Sequence, residues 1–561
     1  MAPPRKRKEL HDSEGIAATM KTSKRQTKAA PPVKRVTKTP SSAKSSAGVR
    51  RARKAGSIAS SVSSTNTIAS RSTKSDSIGT EITEPDEDVK QETQVDEDSL
   101  AETQAKVEYE APYKLKKPTG KIINQIPQLK TVPLNIYVFG TGSMSELGLG
   151  PEAKNKEVKR PRLNPFLPID SVSIVDFAVG GAHVVVIDKA GKLWSWGCND
   201  HGALGRNTAG GDEGLLRDMD AEDDDDDGDL NPYESTPAKV ENLPDDLVFV
   251  EVAASDSLSV GLTSEGRVWA WGTFRCNEGI LGFSEKVEFQ RTPTQIPLPF
   301  AVTSIVAGKD HVLALTVNGK VFAWGNGQQF QLGRRIMDRE KMQSLIPREF
   351  GIKNIKSIGS GEYHSFAIDT SGRVMAWGLN QFGQCGIPSD AGEDGAVVSS
   401  PTYIDGLDGK NIVCITGGEH HSAALSAASE MYTFGRVDSF EVGIEKDELP
   451  ETAVKDANGK PRYLPIPTIV TIDDGDVHAK FVACGSHHNI ALAKEDGSAW
   501  TWGFGETYQV GQGPSGEDVE IPTKIENTAT KGVEMILAGA GGQFSVLGGR
   551  SAVVKDESTS I

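Results

Sequence analysis

The sequence predicts an all-β protein: a seven-bladed β-propeller, closed by N- and C-terminal segments that share one blade and preceded by a disordered tail. One observation is a Trp-Gly or Phe-Gly pair that recurs every 53 to 75 residues and ends at Gly140, Gly197, Gly272, Gly325, Gly378, Gly435 and Gly503. Another is an anchor, Gly-x-x-His or a variant of it, which precedes every pair but the first and starts at Gly180, Ser255, Gly308, Gly361, Gly418 and Gly485. Alternating apolar residues around a turn glycine connect the two and predict β-hairpins. Strand-rich repeats of this length indicate a propeller, because a four-stranded blade buries its faces only by stacking on neighbours.

The two ends of the repeat array predict how the ring closes. Gly140 ends a strand, NIYVF, that has no anchor before it, and Gly541 opens an anchor, GGQF, that has no Trp-Gly pair after it. Six complete copies and two complementary halves make seven blades. Sharing one blade between the two ends removes the exposed strand edges of an open sheet.

Charge divides the 561 residues into four regions. Residues 1–75 contain 18 Lys and Arg against three Asp and Glu, which predicts a basic, disordered tail. Residues 76–130 form an acidic and then mixed linker, residues 131–550 form the propeller, and residues 551–561 form a C-terminal tail. A basic tail on an acidic body indicates a polyanion-binding arm beside a separate binding surface.

The start of the basic tail predicts a nuclear address. It contains four consecutive basic residues, Arg5, Lys6, Arg7 and Lys8. Such a cluster is typical of a nuclear import signal, which importin would bind, and the same charges neutralise phosphates of DNA without reading its sequence. A solvated tail without an address is the alternative.

Composition excludes several other classes of protein. The five cysteines form no Cys-x-x-Cys pair and predict reduced thiols in a reducing compartment. No apolar run approaches the ~20 residues of a membrane-spanning helix. The run Asp223–Asp227 lacks the alternating ligands of a calcium loop, so we expect a solvated surface loop and neither a metal nor a cofactor.

The repeat separates scaffold from candidate site. Residues that recur at one position of the frame, such as the anchor histidines and the tryptophans of the Trp-Gly pairs, are expected to hydrogen-bond and pack between blades. Residues just before the anchor histidine vary and should line one rim of the ring, where Asp310 and His420 are ionisable. Asp256 lies one residue earlier in its own anchor. No nucleophile and base stand at an informative spacing, so hydrolysis has weak support.

Two loops depart from the frame. Residues 273–282, TFRCNEGILG, predict a short protruding hairpin that probes a partner, formed by Phe274, Arg275, Asn277, Glu278, Gly279 and Ile280. We call this segment the wedge. Residues 333–349 form a longer insertion that contains Arg335 and Arg339, and extra loop length on an economical repeat is typical of a contact surface.

These features resemble the regulator of chromosome condensation family, seven-bladed propellers that exchange guanine nucleotides on the nuclear GTPase Ran. The resemblance covers the ring and the basic arm, and the segments at 273–282, 307–316 and 417–425 are its most specific part. It implies that Asp310, His420 and Asp256 contribute to exchange and that the 273–282 hairpin is the β-wedge of the Ran exchange factors. Three positions depart from the family pattern, namely Ser143, Cys276 and Phe544.

The resemblance implies a nuclear, chromatin-bound exchange factor that releases GDP from Ran without covalent chemistry. Arg335 and Arg339 stand where the family has an arginine loop that contacts the nucleosome, and with the basic tail they are the expected histone and DNA contacts. The alternative is a non-exchanging chromatin scaffold that uses the same ring to hold a partner.

Overall fold

The structure is a computed structural model, and it describes residues 113–118, 120–209 and 229–550. The basic tail with Arg5, Lys6, Arg7 and Lys8, the run Asp223–Asp227 and the C-terminal tail lie outside the described residues. None of the helices in the described ranges is long and apolar enough to cross a membrane.

Seven antiparallel sheets form the seven blades of a propeller, as predicted. The closing blade contains β1 (Asn135–Thr141), β2 (Glu157–Leu163), β30 (Glu534–Ala540) and β31 (Phe544–Arg550). Blades 1 and 2 contain β3 (Ile174–Val179), β4 (His183–Asp188), β5 (Leu193–Gly197) and β6 (Ala238–Lys239), then β7 (Phe249–Ala254), β8 (Leu258–Thr263), β9 (Val268–Gly272) and β12 (Gln290–Ile296). A separate two-stranded hairpin, β10 (Phe274–Cys276) and β11 (Gly279–Gly282), follows β9.

The other four blades continue the pattern. Blades 3 and 4 contain β13 (Val302–Ala307), β14 (His311–Thr316), β15 (Val321–Gly325) and β16 (Arg348–Glu349), then β17 (Ile355–Ser360), β18 (His364–Asp369), β19 (Val374–Leu379) and β20 (Val397–Tyr403). Blade 5 has five strands, β21 (Ile412–Gly417), β22 (His421–Ser426), β23 (Met431–Arg436), β24 (Val454–Lys455) and β25 (Pro461–Val470). Blade 6 contains β26 (Ala479–Cys484), β27 (His488–Ala493), β28 (Ala499–Gly503) and β29 (Val519–Lys524).

Helices are few and short in the described part of the chain. The α-helix α1 spans Pro232–Ser235, and Asn231 caps it by accepting the Tyr233 N–H. The 3-10 helices span Ala153–Asn155, Asp338–Leu345, Pro388–Asp390, Asp405–Leu407 and Asp473–Gly475.

The first and last segments of the propeller share a blade, which confirms the predicted closure. Strand β1 pairs with β2 on one side and with β31 on the other, so that Gly140 lies opposite Phe544. Around the axis, seven backbone N–H groups each donate to the carbonyl of a neighbouring blade, from Gly181 to Ser255 at the first junction and from Gly542 to Gly181 at the last. The ring therefore has no open end.

The glycine that follows each tryptophan or phenylalanine lets two strands of a blade approach closely. At Gly325 the φ angle is +109°, and a Cβ atom would lie 2.5 Å from the carbonyl oxygen of Asp310. Gly378 has a φ of +111° and the same relation to the carbonyl of Tyr363. Since other residues rarely adopt this backbone conformation, the frame requires glycine here.

Residues 113–130, which the sequence analysis placed in a linker, lie against the ring. The N–H groups of Ile123 and Asn124 donate to the carbonyl of Val317, and Lys130 Nζ lies 2.8 Å from Asp176 Oδ1. These contacts involve the turn between β14 and β15 and the start of β3. Because strands alternate in direction, this is the face opposite the loops that carry the anchors.

Candidate functional site

The anchor histidines are scaffold, as predicted. Each is fully buried, and its Nε2 lies 2.8 Å from a Ser or Asn oxygen on the next blade, in the pairs His183–Ser259, His311–Ser365, His364–Ser422, His421–Asn489 and His488–Ser545. Burial lowers the pKa of His183 to about 4 and that of His311 to about 3, so both rings are neutral at pH 7. Tryptophans also join blades, since Trp377 Nε1 donates to the Gln331 carbonyl across 2.8 Å.

The mouth of the central channel, a cavity of about 390 Å³, is lined in five of the seven blades by the residue two positions before the anchor histidine or its equivalent. Four of these residues are Asp256, Lys309, Glu362 and Ser486. Lys309 Nζ lies 3.4 Å from Asp256 Oδ2 and 3.2 Å from Glu362 Oε2, and Ser486 Oγ donates to the other oxygen of Glu362. A carboxylate–ammonium–carboxylate chain thus crosses three blades at the channel mouth.

Burial and neighbouring charges shift the pKa values of Asp256 and Lys309 at the channel mouth. Burial raises the pKa of Asp256 to about 7, against the attraction of Lys309, and the carboxyl groups of Glu362 and Asp310 raise it further. Burial alone would lower the pKa of Lys309, but the charges of Glu362 and Asp256 outweigh burial and raise it. Asp256 therefore gains or loses its charge near neutral pH, while Lys309 keeps its charge.

The residue immediately before the anchor histidine lies on the outer side of this ring of charges. His420 packs edge-on against Phe382 with ring centroids 4.8 Å apart, and Gln381 Nε2 lies 3.4 Å from its Nε2. Glu419 Oε2 lies 3.3 Å from His420 Nδ1 and 3.1 Å from His487 Nε2. Burial alone would raise the pKa of Glu419, but the two imidazole groups outweigh burial and hold it well below its usual range, and the Glu419 carboxylate raises the pKa of His487.

The predicted hairpin is present as β10 and β11. Its first residue, Phe274, is 1% exposed and packs in the core between blades 2 and 3, whereas Arg275, Asn277 and Glu278 are exposed. Gly279 turns the chain at a φ of +117° with no atom within 4 Å of where its Cβ would be. The wedge is thus a buried root with a projecting tip, and Ile280 on the return strand is half-buried.

Asp310 supports the wedge. Its Oδ1 accepts the backbone N–H of Arg275 at 2.8 Å, and its side chain is buried. Burial raises the pKa of Asp310 to about 6, against that hydrogen bond and the charge of Lys309. The sequence prediction placed Asp310 on the rim, and the structure brings it into contact with the wedge. Asp256, Asp310 and His420 belong to anchors on the same face of the ring. Lys309 contacts Asp256, its Nζ lies 5.6 Å from the ring centroid of Tyr363, and that ring lies 6.4 Å from the ring of His420.

The insertion 333–349 lies beside the wedge. Its 3-10 helix places Lys341 Nζ 3.9 Å from Glu278 Oε2, and Leu345 is buried in the same core cluster as Phe274. Arg335 and Arg339 are exposed, and Arg339 Nε lies 3.5 Å from Glu340 Oε1. Sequence position alone did not indicate this proximity.

Several residues of this surface were not singled out from the sequence. Lys309, Glu362 and Glu419 occupy the same frame position as Asp256, so an alignment of the seven anchors contained the signal. Gln328 and Gln381 share another frame position, three residues after the glycine of the Trp-Gly pair. Their contacts depend on which neighbouring blade they reach, which spacing does not reveal.

Comparison with known proteins identifies the ring. The family model of the RCC1-like domain matches residues 135–547, which is most of the chain and all seven blades. The chain belongs to the RCC1-like domain family. The "Guanine nucleotide exchange factor SRM1" of Saccharomyces cerevisiae is 53% identical over 431 residues, which cover 75% of this chain and 88% of that protein.

Two solved structures of RCC1-like domains show the same fold. The crystal structure of Prp20p from Saccharomyces cerevisiae, described with its binding properties to Gsp1p and histones, has a TM-score of 0.71 at 49% identity and covers 78% of this chain and 97% of that one. The structure of Kap60 bound to yeast RCC1 (Prp20) has a TM-score of 0.71 at 48% identity, with 80% and 96% covered.

Proposed function

We propose that this protein is a guanine-nucleotide exchange factor for the nuclear GTPase Ran. The observation that carries the proposal is the wedge: it projects from a ring of the RCC1-like domain family, and a buried carboxylate, Asp310, holds its first strand. The 53% identity to a protein named as an exchange factor supports the same function.

The wedge can act without covalent chemistry. A GTPase holds its nucleotide through backbone amides, a lysine and Mg²⁺ around the phosphates. The exposed tip residues Arg275, Asn277 and Glu278 would press on that region while the Phe274 root stays fixed in the core. No substrate bond breaks in such a step, and the only requirement is a surface that fits the nucleotide-free GTPase better than the loaded one.

The rim and the channel mouth would bind the GTPase. Asp256, Glu362 and Glu419 place carboxylates on the same face as the wedge, and their charges suit a basic patch on the GTPase. If the ring binds the empty GTPase more tightly than the nucleotide-bound form, nucleotide binds more weakly by the same factor. Exchange then runs in either direction, and the GTP excess of the cell sets its outcome.

We propose further that the protein acts on chromatin in the nucleus. Prp20p is described with binding to histones and Kap60 was solved bound to Prp20, so nucleosome and importin partners are proposed for this chain. The basic tail and the exposed Arg335 and Arg339 are the candidate nucleosome and DNA contacts. Arg5, Lys6, Arg7 and Lys8 are the candidate importin contacts.

The test is the release of fluorescent GDP from purified Ran with the full-length protein at one-hundredth of the Ran concentration. In the presence of excess unlabelled GTP, the proposal predicts that all of the Ran loses its label, many turnovers per molecule of protein. A release rate equal to that of Ran alone, with a protein that melts cooperatively, would favour the non-exchanging chromatin scaffold instead.

A further inference from the structure

The tip of the wedge is in contact with a glutamine of the next blade. Gln328 Oε1 accepts the backbone N–H of Asn277 at 2.8 Å, and Gln328 Nε2 lies 2.9 and 3.0 Å from the two carboxylate oxygens of Glu278. The primary amide of Gln328 thus makes two kinds of contact with the tip. Its oxygen accepts from the backbone of Asn277, and its nitrogen donates to the side chain of Glu278. Gln329 Nε2 adds a longer contact to Asn277 Oδ1 at 3.4 Å.

These contacts matter because the wedge cannot hold its own shape. Its two strands pair at only three positions, with a register shift at the first, and an isolated two-stranded hairpin is at best marginally stable in water. Asp310 fixes the first strand at Arg275, and the buried Leu281 fixes the return strand. The tip residues 276–279 lie beyond both supports, and Gln328 spans that gap.

Gln328 is itself held in place. Its backbone N–H donates to Asn326 Oδ1 at 3.0 Å, in the loop that follows the Trp-Gly pair of blade 3. Three and four residues later in the same loop, Gln331 and Leu332 are fully buried between blades. The amide that supports the tip therefore stands on the rigid part of the ring.

We propose that Gln328 is a positioning residue for nucleotide exchange, which acts by holding the wedge tip in its active conformation before the GTPase binds. The proposal deepens the exchange function and rests on it. An ordered tip lowers the entropy lost when the wedge enters the nucleotide site, so the benefit falls on the rate of release within the complex.

The first experiment measures the tip directly in the free protein. In Gln328→Ala, hydrogen–deuterium exchange of peptides that cover residues 274–282 should accelerate, with the melting temperature unchanged. Glu506→Ala is the matched control, because Glu506 occupies the same frame position in blade 6 and is exposed far from the wedge along the ring. Equal deuterium uptake by Gln328→Ala and the unsubstituted protein would overturn the proposal, whether or not the protein exchanges nucleotide.

The second experiment measures GDP release from Ran. Gln328→Ala should lower kcat about three- to tenfold, the scale expected for losing exposed hydrogen bonds, and leave KM for Ran within about twofold. Glu506→Ala should match the unsubstituted protein. A rise in KM with an unchanged kcat would show that Gln328 contacts the GTPase rather than positioning the wedge, and would overturn the proposal.

A double-mutant cycle then tests the contact itself. Gln328→Glu keeps an acceptor for the Asn277 N–H but sets a carboxylate against Glu278, so exchange should slow. In a Glu278→Gln background the carboxylate and the amide have merely traded places, and Gln328→Glu should cost little. An equal cost in both backgrounds would contradict the contact. If the unsubstituted protein fails to accelerate GDP release, the exchange function fails instead, and deuterium uptake alone decides the role of Gln328.

Discussion

The loops that follow two successive Trp-Gly pairs point in opposite directions: one packs between blades, and the other projects from the ring. After Gly325, the loop 326–333 turns inward, and the carbonyl of its buried Gln331 accepts hydrogen bonds from Trp377 and Ser365 of the next blade. After Gly272, the wedge turns outward and exposes its tip. One frame position therefore builds scaffold in blade 3 and a candidate site in blade 2.

The difference lies in where each loop finds hydrogen-bond partners. The inward loop satisfies its polar groups within the blade interface, where the geometry repeats from blade to blade. The outward loop leaves that geometry and depends on side chains of blade 3, namely Asp310, Gln328 and Lys341. The wedge should therefore be sensitive to substitutions that leave the ring intact.

Among the substitutions, the largest effect is expected at the base of the wedge. Asp310→Lys replaces the acceptor of the Arg275 N–H with a cation, and the loss of a charged hydrogen bond at a buried site costs about 2 to 3 kcal/mol, or roughly 30- to 150-fold in GDP release. Because the Asp310 side chain is buried, the lysine should also lower the melting temperature, so GDP release is compared at a temperature where the variant is folded. Asp310→Asn, which keeps an acceptor oxygen, should retain most of the rate. A fast Asp310→Lys variant would show that the wedge needs no support at this point.

A smaller effect, on a different partner, is expected in the insertion. Arg335→Glu combined with Arg339→Glu reverses two exposed charges, and we expect roughly tenfold weaker binding to nucleosomes at physiological salt, with a reduced salt dependence. GDP release from Ran in the absence of nucleosomes should stay the same. Unchanged nucleosome affinity would exclude the insertion as a chromatin contact.

The features that the sequence predicts are those that recur from blade to blade. The seven blades, the shared closing blade and the structural role of the anchor histidines all followed from recurrence, because one local geometry is used many times. Asp310 and His420 were found as departures from the frame. Their partners were not: Gln328 supports the wedge and Gln381 lies beside His420, yet the two reach in opposite directions along the ring.

Pairings of this kind depend on side-chain conformation across a blade junction, which spacing does not encode. The same limit applies to the insertion 333–349. Its length and charge indicated a contact surface, and only the structure shows that Lys341 lies beside Glu278 of the wedge. The linker that continues into residues 113–130 was likewise assigned by charge, although its backbone hydrogen-bonds to the turn at Val317.

The pH dependence of kcat/KM should distinguish the contribution of Asp256 at the channel mouth from that of the wedge. Burial raises the pKa of Asp256 to about 7, so the carboxyl group is mostly neutral at pH 6 and mostly ionised at pH 8. If the carboxylate attracts the GTPase, kcat/KM should rise over that interval by up to a few fold. In Asp256→Asn the rise should shrink to the part contributed by Asp310, whose pKa is raised to about 6, and by Ran, and the ratio of the two proteins cancels that shared part. A ratio that is constant between pH 6 and pH 8 would remove Asp256 from the site.

The smallest effect on exchange is expected from a purely scaffold residue. His183 Nε2 donates to Ser259 Oγ, which in turn donates to the Ala203 carbonyl, so His183→Ala leaves a cavity and a broken hydrogen-bond chain between blades 1 and 2. The free energy of unfolding should fall by about 3 kcal/mol, as for other large-to-small core substitutions. At a temperature where the variant is folded, GDP release per molecule should match the unsubstituted protein. A selective loss of exchange would show that scaffold and site are not separable.

We propose that one outward loop, the wedge, makes this ring an exchange factor. The most direct measurement compares GDP release from Ran by the full chain with release by a chain that lacks residues 275–280, each checked for cooperative melting. We expect the shortened protein to keep its melting temperature within a few degrees and to lose at least about 100-fold in exchange rate, the scale of removing a main catalytic contact. A folded protein without the wedge tip that still releases GDP at the full rate would contradict the account.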